Sequence, residues 1–112
     1  MTYLQRLKLE LNNKPYLTDD EYTELLSEQN LTYDEEYFIA FRPELLKTVL
    51  SVFEILSNDV DYFRKIETEF STTSAAAEAL TARIQKVKSQ ITALEAAENH
   101  TDNTFSFMYH GG

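Results

Sequence analysis

The chain has 112 residues, 19 acidic against 10 basic, for a formal net charge of −9. An apolar share of 43% with 12% aromatics points to one folded domain, and two glycines and two prolines are too few for the turns of a β-sandwich or barrel. The lack of cysteine excludes disulfides and thiolate metal sites, and the acidic balance opposes nucleic-acid binding through phosphate contacts.

No apolar run approaches the ~18 residues of a membrane span. The opening stretch MTYLQRLKLELNN is charged throughout and has no signal-peptide core. Tyr3, Leu4, Leu7 and Leu11 then form one helical stripe across residues 3–12. Asn12, Asn13 and Pro15 end that helix. TDDE at 18–21 is a capping box, with Thr18 as the cap and Glu21 reaching back. The helix that it opens carries Tyr22, Leu25 and Leu26 and stops near Asn30. TYDE at 32–35 repeats the box and is expected to open a short helical segment with Tyr37, Phe38 and Phe41.

Pro43 sits where a first-turn proline is tolerated. From it runs PELLKTVLSVFEIL, whose Leu45, Leu46, Val49, Val52, Phe53 and Leu56 share a broad apolar face. This is the expected central helix. SND at 57–59 is a break or a new cap, after which Val60, Phe63 and Ile66 continue helically to about Thr68. FSTTS at 70–74 is a hydroxyl-rich break ending in an N-cap candidate, Ser74. Residues 74–98 hold the longest pattern: Leu80, Ile84, Val87, Ile91 and Leu94 step by 4, 3, 4 and 3, a heptad-type seam. At ~1.5 Å per residue that helix is about 36 Å long, so part of it is expected to overhang its own core.

The predicted fold is all-α: a four- to five-helix bundle with one long C-terminal helix and an extended aromatic C-terminal tail. Residues 1–98 form the helical body and 99–112 the tail. Tyr22, Tyr37, Phe38, Phe41, Phe53 and Phe63 are assigned to the core rather than to a ligand platform.

Chemistry is hard to place on this chain. Its two histidines, His100 and His110, lie in or beside the tail, and no metal-ligand or nucleophile spacing surrounds them. The tight acid clusters, DDE at 19–21 and DVD at 59–61, are the acids that a helix start favours. Both glycines are terminal, so no glycine-rich phosphate loop can form. No enzyme activity, cofactor or metal is expected.

Two features point to protein partners instead. Residues 18–36 hold eight acids and no base, Asp19, Asp20 and Glu21 among them, while residues 83–88 hold Arg83, Lys86 and Lys88. These are complementary faces for contact between copies, or else ordinary solvated helix faces. The tail TDNTFSFMYHGG gathers Phe105, Phe107, Met108 and Tyr109 with strand-like alternation. A lone strand is unstable, so it packs back on its own body, stays loose as a terminus, or docks on a partner.

The order of short helices, the LLKTVLSVFEILSND helix, FSTTSAAAEALTARIQKVKSQI opening a long helix, and a closing tail together resemble the head–tail connector (adaptor, or head-completion) proteins of long-tailed bacteriophages. The likeness spans most of residues 1–95 and rests on helix order and texture. It implies a structural virion protein, made in the host cytoplasm, that forms a homo-oligomeric ring between the portal protein and a further neck or tail protein. DNA would pass through the ring without specific binding. By the same resemblance, gripping the portal would fall to Phe105, Phe107, Met108 and Tyr109. Two other readings stand beside it: an acidic DNA mimic that inhibits a DNA-binding protein, and a general helical interaction module.

Overall fold

The computed structural model describes residues 1–97 with their side chains. The chain is all-α. Its helices are α1 (Tyr3–Glu10), α2 (Asp19–Glu28), α3 (Arg42–Asn58), α4 (Val60–Glu67) and α5 (Thr73–Gly111), with one 3-10 turn at Ile39–Phe41 before α3. Among the described residues there is no strand; one isolated antiparallel bridge joins Thr2 to Glu36. Residues 99–111, expected as an extended tail, fall within the bounds of α5, and the side chains of 98–112, with Phe105, Phe107, Met108 and Tyr109 among them, lie outside the described residues.

Short-range chemistry sets the helix ends. Thr18 and Glu21 form the capping box of α2, as its sequence predicts. Thr2 and Gln5 form an equivalent box on α1, from a TYLQ stretch that reads less plainly. Both helices end in an asparagine with positive φ: Asn12 at 57° and Asn30 at 61°. In each case the next amide reaches back to the last turn, Asn13 N–H to Lys8 C=O at 2.8 Å and Leu31 N–H to Leu26 C=O at 2.9 Å. This is a Schellman closure, with asparagine in the left-handed position that glycine usually takes. Asp59 resolves the SND break as a cap: its carboxylate accepts from the amides of Asp61 at 2.9 Å and Tyr62 at 3.2 Å. At α5 the cap is Thr72 rather than Ser74, its hydroxyl accepting from Ala75 N–H at 3.0 Å.

Helix α3 is the hub. It packs on α1, α2, α4 and α5. Leu45, Leu46, Val49, Val52, Phe53 and Leu56 are all buried, on the face that the sequence marks. Thr48 is also buried, and its hydroxyl donates to Glu44 C=O at 3.0 Å, so that hydroxyl is not left orphaned. The heptad seam of α5 lies on this same core. Leu80, Val87 and Ile91 are buried, and Ile84 and Leu94 are packed against them. Ala76 is fully buried, which lets the start of α5 come close to its neighbours. Through Leu94, therefore, the seam packs on its own chain's core.

Residues 32–37 also differ from expectation. TYDE opens no helix. Its carbonyls are turned onto the start of α1 instead: Tyr3 N–H donates to Glu35 C=O at 3.0 Å, and Leu4 N–H to Tyr33 C=O at 3.1 Å. Tyr37 N–H donates to Met1 C=O at 2.8 Å. The first-turn amides of a helix have no partner within it, and this segment supplies one from a distance.

Candidate functional site

The strapped segment sets the direction in which residues 37–41 point. Tyr37 turns inward, its ring edge-on to Tyr3 at 5.7 Å and beneath the Arg6 guanidinium at 5.3 Å. The next residues turn outward. Phe38 is 59% exposed, Ile39 69% and Phe41 47%, and Tyr33 is exposed as well. This corrects the assignment of Phe38 and Phe41 to the core. The single 3-10 turn is too short to bury five consecutive apolar residues, YFIAF, on one face. The Phe38 and Phe41 rings lie 6.2 Å apart and form one outward aromatic edge. Asp34 and Glu35, a few residues earlier in the chain, are exposed, and Glu36 is held by the N-terminal ammonium.

A second feature lies toward the other end of α1. A cleft of about 320 Å³ opens between α1, α3 and α5, with Leu46, Val49, Phe53 and Val87 at its base. Arg83, Lys86 and Gln90 of α5 line it, opposite Leu9 and Glu10 of α1. Glu10 is clamped by two guanidiniums, Arg6 at 3.0 Å and Arg42 at 2.9 Å. Its carboxylate is thus neutralised, Arg83 is paired with Glu69, and Lys86 is left as the exposed charge of the cleft lining.

The basic and acidic residues marked in the sequence separate into engaged and open ones. Asp19 pairs with Lys8 at 2.7 Å. Glu21 completes the α2 cap and accepts from the Tyr62 hydroxyl at 2.9 Å. The Thr18 amide, then that hydroxyl, hold the Glu21 carboxyl below the usual carboxylate range. Arg83 faces inward enough to pair with Glu69 at 3.4 Å and donate to the Tyr16 hydroxyl at 3.3 Å. Asp20, Lys86 and Lys88 stay exposed. So Asp19, Glu21 and Arg83 act largely within the chain, and the structure does not bring the acidic and basic sets together.

Tyr16 ties the α1–α2 loop to α4 and α5. Its hydroxyl donates to Glu69, and its carbonyl accepts from Lys65 Nζ at 2.7 Å. Burial, then the Glu69 carboxylate, pushes the hydroxyl up to about 12. The folded state therefore holds this proton more tightly than the unfolded chain, where tyrosine titrates near 10. The resulting stabilisation is complete below pH ~10 and is lost as pH rises from there through about 12. Urea titrations between pH ~9 and ~11.5 are expected to show Y16F losing about 2 kcal/mol less stability than the wild type over that range, at ~1.4 kcal/mol per unit of pKa difference. Parallel curves for the two proteins would show that the Tyr16 hydroxyl contributes no such stabilisation.

Among the described residues no group of three or more histidine and acidic side chains is placed to hold a metal ion. None of the described helical stretches is long and apolar enough to cross a membrane. Comparison with protein-family models, with curated proteins and with solved structures finds no match to this chain.

Proposed function

We propose that this chain is a structural protein that works by docking against other protein subunits, in the manner of a phage head–tail connector. In this reading a bundle built around α3 is the rigid body of one ring subunit between portal and tail. The ring extends the DNA channel, and the net charge of −9 keeps its wall from gripping phosphates. Phe105, Phe107, Met108 and Tyr109 supply the apolar grip on the portal protein or on a neighbouring subunit.

One observation carries the reading. A well-packed helical body presents Phe38, Ile39 and Phe41 to solvent from a segment held by long-range backbone hydrogen bonds. Exposed apolar clusters on a rigid frame mark protein contact sites. The large side chains that would otherwise be expected to fill the core are here held outside it.

The test is assembly. Mixed with the portal protein of the same genome, the chain is expected to co-elute as a complex and to appear as a ring by electron microscopy. Competition with DNA for a DNA-binding enzyme, with no portal binding, would favour the acidic mimic instead.

A further inference from the structure

We infer that the aromatic edge of one copy, Phe38 with Ile39, docks into the basic-rimmed cleft between α1 and α5 of a second copy. The inference rests on the proposed docking function and names the contact by which one subunit meets the next.

Three observations combine. First, the charges match. Asp34 and Glu35 are exposed a few residues before the edge, while Lys86 is exposed at the cleft, whose other charged lining residues are held within the chain, Arg83 by Glu69 and Glu10 by two guanidiniums. Opposite potentials steer partners together and set their register. Second, the apolar parts match. Leu9 is 43% exposed at the cleft, above Phe53 and Val87, and lacks an apolar cover that Phe38 and Ile39 supply. Third, the edge leaves the cleft of its own copy unfilled: Phe38 and Ile39 are exposed and line no part of it, and Arg42, just after the edge, is fixed to Glu10 at the cleft wall. The edge is strapped to the first turn of α1 by the Tyr33 and Glu35 carbonyls, whereas the cleft takes in Leu9 to Asn12 at the helix's far end.

Because the edge and the cleft are different surfaces, the contact is head-to-tail, the kind that closes into a ring or runs on as a filament. A handful of side chains covers less than the ~800 Å² per partner of a stable interface, so free copies associate weakly and a docking platform strengthens them by holding many together.

Sedimentation equilibrium of the full chain tests this from about 10 µM to 1 mM. The wild type is expected to self-associate in the upper part of that range. F38D weakens association at least tenfold, and K86E and E35K each weaken it at least fivefold. The double variant E35K/K86E recovers to within about twofold of the wild type. Phe38, Glu35 and Lys86 are all exposed, so circular dichroism is expected to show an unchanged fold. A wild type that stays monomeric to 1 mM, or association indifferent to F38D and K86E, overturns the pairing. The same variants on the portal protein separate the two claims. If the wild type and variants form equal rings there, the pairing is wrong and the connector reading stands. If the wild type ignores the portal while charge reversal still rescues self-association, the connector reading is wrong and the pairing stands.

Discussion

Truncating Leu56 to alanine is expected to lower the unfolding free energy by about 3 kcal/mol, within the ~2–5 kcal/mol of buried leucine truncations. Leu56 is fully buried on α3, the helix on which all the others pack. A domain of this size is held by only about 5–15 kcal/mol, so the loss is a large share of the whole. With a urea slope of ~1–3 kcal/mol per molar, the midpoint falls by roughly 1.5 M. Circular dichroism in a urea titration measures it. V60A is the control: Val60 is 71% exposed, and its loss should change stability by less than ~0.5 kcal/mol. Equal midpoints for L56A and V60A would mean that α3 is not the centre of the core.

Deleting residues 103–112 is expected to have the opposite profile. Among the described residues the core cluster lies between Tyr3 and Leu94, and thermal unfolding is expected to change little. Partner binding is expected to fall at least 100-fold, because Phe105, Phe107, Met108 and Tyr109 leave together. Each large apolar side chain buried at an interface contributes on the order of 1.5–3 kcal/mol, and aromatics dominate such contacts. Titration of the shortened chain against immobilised portal protein reads the effect. Binding within twofold of the full chain would move the grip from the tail to the helical body.

Local patterns were legible and long-range ones were not. The TDDE cap of α2, the asparagine helix ends, Asp59 and the Leu80–Leu94 seam depend on residues within a turn or two of one another, and the structure has them where the pattern puts them. TYDE at 32–35 carries the same cap signature as TDDE and behaves differently, because its carbonyls have a stronger use 30 residues upstream, on the orphan amides of Tyr3 and Leu4. The signature is identical; the competitor is remote.

The outward turn of Phe38, Ile39 and Phe41 had a faint signal. YFIAF has neither helical nor strand period, so no single buried face could take it. Composition alone assigned its aromatics to the core. Arg83 shows the same limit for charge. Beside Lys86 and Lys88 it reads as part of an open basic face, yet its partners Glu69 and Tyr16 come from α4's end and the α1–α2 loop. Likewise the clamp on Glu10 joins Arg6, one turn away, to Arg42, 32 residues away, and only the first half is visible in sequence.

The proposed docking on other subunits is decided by the mass of the particle that forms when the chain meets a phage portal protein. Native mass spectrometry of the mixture is expected to show the portal ring plus a whole-number ring of added copies, absent when residues 103–112 are removed. A portal ring of unchanged mass, with this chain left over as a separate species at saturating concentration, would contradict the docking function.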